Sequence, residues 1–167
     1  MPAHEVIDPK EFAQIASRFA GLPVARPWLG DYTALYLEIG SLTGRYQHSG
    51  RPKAALCAYV GFDWVLSSPS GHAITSAAAG SAAQAVVALE GAQVVGVRLA
   101  PALALAIDLA AGSCLQSLSD PKDDQHWTLY LSDGLCISVR SGEIISEEST
   151  PSAQRSRRPT GRRASTR

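Results

Sequence analysis

The sequence predicts an α+β domain in which a unit of one helix followed by antiparallel strands occurs twice, ending in a disordered tail. Three observations lead there. Apolar residues recur at helical spacing in two short stretches, each closed by a glycine. Period-two alternation follows each stretch. And "GLPVARPWLGDYTALYLEI", from Gly21 to Ile39, returns seventy residues later as "GAQVVGVRLAPALALAIDL", from Gly91 to Leu109.

The first helix is signalled by "IDPKEFAQIASRFAG". Asp8 can cap it, Pro9 suits the first turn, and Glu11 stands three residues after Asp8 as in a capping box. Phe12, Ile15, Ala16 and Phe19 then form one apolar stripe, and Gly21 ends the helix. In the strands that follow, Leu35, Leu37 and Ile39 point one way while Ala34, Tyr36 and Glu38 point the other. The polar, Gly- and Pro-bearing run from Ser41 to Lys53 reads as a loop. Beyond it Ala54, Leu56 and Ala58 are expected to face Phe62, Trp64 and Leu66 across a turn at Val60-Gly61.

"SSPSGH" separates the halves. A second helix is expected after it, capped by Thr75 or Ser76, with Ala79, Ala83, Val86 and Val87 on its apolar side and Gly91 at its end. Leu103, Leu105, Ile107 and Leu109 share a strand face, with Ala102, Ala104 and Ala106 leaving room for a helix on the other. Trp127, Leu129 and Leu131 should pair with Leu135, Ile137 and Val139 across Asp133-Gly134, a strong hairpin signal with both turn residues at positive φ.

A shift of 70 superposes Gly21, Val24, Leu29, Ala34 and Leu35 on identical residues, and Glu38 on Asp108. A shift of 73, placing a longer loop in the second copy, superposes Leu56 on Leu129 and Gly61 on Gly134. Repeat 1 then spans about 8–68 and repeat 2 about 74–147, and together they make a single domain, 1–148, because each covers the other's apolar surface. Residues 149–167, rich in Ser, Pro and Arg without apolar periodicity, are expected to be disordered.

Charge divides along the same boundary. Fifteen acids and nine bases up to Glu148 leave a net −6, and six arginines with no acid after it carry +6. Cys57, Cys114 and Cys136, odd in number and without C-x-x-C spacing, suggest neither a disulfide framework nor a cysteine zinc site. The N-terminus lacks the basic and apolar regions of an export signal, and the run from Val94 to Ala111 is broken by Arg98, Pro101 and Asp108 before it reaches membrane length. A cytoplasmic protein without membrane contact is therefore expected.

Motifs for acyl transfer, phosphate cradling and zinc hydrolysis are absent from the sequence. Two carboxylates in equivalent positions, Glu38 and Asp108, would serve acid–base work only if brought close enough to split their pKa values, and otherwise are solvated or paired with an arginine. "DPKDDQHW" offers Asp120, Asp123, Asp124 and His126 without the spacing of a calcium loop, so neither metal nor cofactor is expected. Trp28, Tyr32 and Tyr36, beside Arg26, form an aromatic group typical of protein interfaces, with Trp127 a further candidate. In the tail, Arg155, Arg157, Arg158, Arg162 and Arg163 would hold nucleic-acid phosphates without base specificity, having no interleaved aromatics.

The runs "WLGDYTALYLEIG", "LEGAQVVGVRLAPALALAIDL" and "WTLYLSDGLCISV" resemble a set of small bacterial proteins of unknown function that share a duplicated β-rich layout. The resemblance implies a fold and no activity. In general character such a domain is also similar to immunity proteins. The expected function is that of a non-catalytic protein that binds a protein partner, as an immunity or accessory factor. The alternatives are a small enzyme using Glu38 and Asp108, and nucleic-acid association through the tail.

Overall fold

The computed structural model describes residues 4–118 and 127–148. Strand β1 (His4–Val6) leads into helix α1 (Pro9–Ala16). Asp8 Oδ1 accepts from Glu11 N at 2.8 Å and Pro9 occupies the first turn, so the helix starts where its cap dictates. It is shorter than the spacing predicts. A 3-10 turn takes over at Ser17, and Gly21, at φ +80°, closes the segment with Phe12, Ala16 and Phe19 buried.

Three antiparallel strands follow: β2 (Val24–Leu29), β3 (Leu35–Arg45) and β4 (Pro52–Gly61). Next come β5 (Trp64–Ser67), β6 (Ala73–Thr75) and helix α2 (Ala79–Val87). A second meander comprises β7 (Val94–Ala100), β8 (Ala104–Leu109) and β9 (Cys114–Ser117). After it lie β10 (Thr128–Tyr130), β11 (Leu135–Arg140) and β12 (Glu143–Glu148).

These strands make a seven-stranded sheet, ordered β1-β12-β11-β10-β4-β3-β2, and a five-stranded sheet, ordered β6-β5-β9-β8-β7. The molecule is thus richer in β-structure than the α+β expectation: two antiparallel sheets with two short helices. One apolar core joins them. Leu35, Leu37, Ile39, Leu56, Ala58, Leu129 and Ile137 enter it from the larger sheet, and Trp64, Leu105, Ile107 and Leu115 from the smaller. Helix α1 packs on β7 and α2 on β2, so each helix lies against the other half of the chain.

The polypeptide changes sheets twice. β4 pairs with β3 and β10, whereas β5 pairs with β6 and β9. The expected hairpin of Ala54–Ala58 against Phe62–Leu66 therefore does not form. Gly61, at φ +101°, sits where the chain turns away from its sheet. The apolar alternation on the two sides was real, yet period-two patterning identifies a strand without naming its neighbour.

Helix α2 begins at Ala79 with no side-chain cap, because Ser76 Oγ instead accepts from Trp64 N at 3.2 Å. Its buried residues are Ala82 and Val86, with Leu89 following, whereas Ala83 is exposed and Val87 is 68% exposed. Ala102 is not on a strand; it lies in a turn at φ +61°. The β10–β11 hairpin pairs Leu129 with Ile137 as expected. Its turn spans Leu131 to Leu135 and takes positive φ at Gly134 alone, with Gly134 N donating to Leu131 O at 3.1 Å.

Positions seventy apart play matching roles. Val24 pairs with Ile39 and Val94 with Leu109, and a bulge follows each first pair. Gly21 N donates to Val94 O at 2.7 Å, and Gly91 N to Val24 O at 2.8 Å. Trp64 Nε1 donates to Thr33 O at 2.9 Å, and Trp127 Nε1 to Leu103 O at 2.8 Å. The register of 73 is not adopted. Cys57 stands opposite Glu38 as Cys114 stands opposite Asp108, so the extra residues lie in the first half, between β3 and β4. Much of the stretch from Ser41 to Lys53, expected as loop, is strand: β3 and β4 run on beyond the sheet as a two-stranded arm.

Candidate functional site

The site lies on the outer face of the seven-stranded sheet. Alternation puts Leu35, Leu37 and Ile39 inward and Tyr36 and Glu38 outward, and the register sets Trp28 beside Tyr36 and Arg26 beside Glu38. Across β4 and β10 the same face continues through Tyr59 and Cys57, then Tyr130. The arm between β3 and β4 brings Tyr46, Arg51 and Lys53 back over this face.

The rings form a connected row. Trp28 and Tyr36 stack with centroids 4.1 Å apart and planes 6° apart, and Tyr36 meets Tyr59 at 5.0 Å. Phe62 stands 6.3 Å from Tyr59, and Tyr32 6.5 Å from Phe62. At the opposite end Tyr46 approaches Trp28 edgewise at 6.4 Å. Two cations lie on ring faces there: the Arg51 guanidinium 5.3 Å from the Trp28 ring centre and Lys53 Nζ 5.3 Å from that of Tyr46. Trp28, Tyr36, Tyr46, Lys53, Cys57 and Tyr130 enclose a cleft of about 390 Å³.

Beneath the cleft lies Glu38, 0% exposed. The Tyr46 hydroxyl donates to its Oε1 and Ala54 N to its Oε2 at 2.9 Å. Burial, followed by the neighbouring Cys57, raises the Tyr46 hydroxyl well above the ordinary tyrosine range. Burial, followed by the Glu38 charge, pushes the Cys57 thiol up to about 12. Burial also raises Tyr36, Tyr59 and Tyr130. A thiol held protonated is a poor nucleophile, and rings held neutral offer surface rather than charge.

The remaining candidate residues are distributed differently. Tyr32 belongs to the row and is 92% exposed, at φ +58°. Trp127 is 0% exposed, edge-on to Phe12 at 5.7 Å, and offers no surface. Asp108 lies on the five-stranded sheet, paired with Arg98 at 2.8 and 3.2 Å, which holds its carboxyl below the usual range. Glu38 and Asp108 thus sit on separate sheets, each with its own partners, so the pair required for acid–base work is not assembled. Asp120, Asp123, Asp124, His126 and the tail arginines lie outside the described residues.

Tyr46, Arg51, Lys53, Tyr59, Phe62 and Tyr130 escaped the sequence reading. For Tyr59 and Tyr130 a signal existed: each is an aromatic at an outward strand position, where a solvated sheet face ordinarily carries polar residues. For Tyr46 and Arg51 none did, since an arm exposed on both faces has no alternation to read.

Fold and site together define an antiparallel two-sheet protein with an aromatic cleft rimmed by cations. Comparison of the chain with protein families, characterised proteins and solved structures finds no match. Among the described residues no three His, Cys, Asp or Glu side chains gather within metal-holding reach, and no helix is long and apolar enough to cross a membrane.

Proposed function

We propose that this is a non-catalytic binding protein of a reducing, cytoplasmic compartment, which acts by occupying a protein partner with the outer face of its larger sheet. The observation that carries the reading is the ring row from Tyr32 to Tyr46, with Arg51 and Lys53 held against it. Rigid aromatics and arginines supply much of the binding energy at protein interfaces, because they bury large areas for little lost freedom. The free thiols of Cys57 and Cys114 support the reducing compartment.

We further infer that the two halves descend from one ancestral unit. The recurrence of pairing, bulge and tryptophan hydrogen bond at matched positions supports it. On this view the arm is an insertion into the first copy, and the recognition surface was built where the copies diverged: at the positions of Trp28, Tyr32 and Tyr36 the second half has Arg98, Ala102 and Ala106.

The test is affinity capture from the source cell with wild type, Tyr32→Ala and Trp28→Ala, each checked for unchanged thermal unfolding. The reading requires a partner whose recovery falls at least about tenfold for a hot-spot substitution. Equal recovery by all three would overturn it.

A further inference from the structure

The buried hydrogen-bonding groups of this outer face are one-sided. Its buried acceptor, Glu38, has both oxygens occupied by Tyr46 and Ala54. The buried side-chain atoms left without a partner are donors. Arg26 Nη1 and Trp28 Nε1 are buried with no partner among the described residues, and both groups can only donate. Arg51 and Lys53 stand exposed at the mouth.

Charge agrees with that inventory. Elsewhere among the described residues Arg18, Arg98 and Arg140 are tied to Asp133, Asp108 and Glu147. Arg26, Arg45, Arg51 and Lys53 make no ion pair among the described residues, and all four belong to β2 or to the arm. Lys10, on α1, is the other described lysine or arginine without an ion pair, so in a body of net charge −6 four of the five unpaired ones are collected at one place. The other end of the ring row is opposite in sign, because Asp31 precedes Tyr32 and Asp63 follows Phe62. A uniformly anionic polymer laid along the row would be attracted at one end and repelled at the other. Quaternary ammonium groups are disfavoured too, since the protein's own cations already occupy the faces of Trp28 and Tyr46.

The geometry points to a polypeptide segment with a fixed direction as the occupant: its aspartates or glutamates meet Arg51 and Lys53, and its apolar side chains lie along Tyr36, Tyr59 and Phe62. This rests on the proposal that the face binds a protein, and adds the chemistry and polarity of the bound segment. A carboxylate at the mouth accepts from Arg51 and Lys53, which rest on ring faces and make no ion pair among the described residues, and Asp31 and Asp63 penalise the reversed orientation.

The test is selection of a random displayed peptide library on the full-length protein, with the enriched peptides then measured against Arg51→Ala, Lys53→Ala and, as a control on α1, Lys10→Gln. Arg51 and Lys53 are exposed, so the substitutions leave the core intact. Enriched peptides should carry Asp or Glu next to apolar residues. Losing one charge-assisted contact should weaken them about tenfold in either cleft variant and leave them unchanged in the control. Affinity should fall as salt is raised. Neutral or basic consensus peptides, no enrichment, indifference to both cleft variants, or tighter binding of oligothymidylate than of the peptides would each overturn the inference. If captured partner still depends on Trp28 while both charge variants are silent, the binding face stands and the acidic segment falls.

Discussion

Glu38 shows how far a single residue's environment departs from its position in a pattern. It falls at an outward place on β3, where the alternation reads as solvated, yet it is fully buried because the arm folds Tyr46 over it. A hydrogen bond to a charged group is worth about 1.5–3 kcal/mol. Tyr46→Phe removes the donor and keeps the ring, so it should lower unfolding stability by about 2 kcal/mol, read as a shift of the urea midpoint at constant m-value. An unmoved midpoint would mean that water replaces the hydroxyl at no cost. Cys57 bears on the alkaline limit. Its thiol is raised from 9.0 to about 12, so above pH 9 the unfolded chain loses a proton that the native state keeps. Its contribution to stability is complete below pH 9 and drains away as pH climbs toward 12. Tyr36, Tyr46, Tyr59 and Tyr130, all raised from 10.0, steepen the same decline. In Cys57→Ala, stability followed by thermal unfolding should fall less steeply over that range than in wild type.

Among the elements, the two helices and their glycines separate what sequence fixes locally from what packing imposes. Asp8 marks the start of α1 because a cap acts through bonds three residues long. The start of α2 falls later than expected because Ser76, the expected cap, is engaged instead by Trp64 at the start of β5, the strand paired with β6. Gly80 and Gly91 look alike in the sequence and differ in the backbone. Gly80 is helical with open space where a Cβ would go, so Gly80→Ala should stabilise by about 0.5–1 kcal/mol. Gly91 has the same open space but φ +82°, and Gly91→Ala should cost about 1 kcal/mol from backbone strain alone. Chemical denaturation of the two variants would read both signs; equal shifts would refute the conformational argument. The arm between β3 and β4 was the least legible element. A two-stranded projection wet on both faces keeps none of the apolar periodicity by which strands are recognised.

For the molecule as a whole, the exchange of strands couples the halves. β5 completes the five-stranded sheet against β9, and β10 joins the seven-stranded sheet against β4. The reciprocal bonds of Gly21 with Val94 and Gly91 with Val24 add a second clasp. Neither half retains a complete sheet alone, so residues 1–72 or 73–167 expressed singly should lack cooperative unfolding, whereas the full chain should unfold in one transition. Coincident melts by tryptophan fluorescence and far-ultraviolet circular dichroism would bear this out; two separated transitions would not. Local chemistry determined which residues turn inward, where α1 begins, that a hairpin joins Leu131 to Leu135, and that aromatics gather near Trp28 and Tyr36. The tertiary structure decided which strands pair, that Trp127 is core, and that Tyr46, Arg51 and Lys53 close over Glu38. Periodicity and caps act within a few residues of chain, whereas strand partnership and the burial of a charge depend on segments that only the completed core brings together.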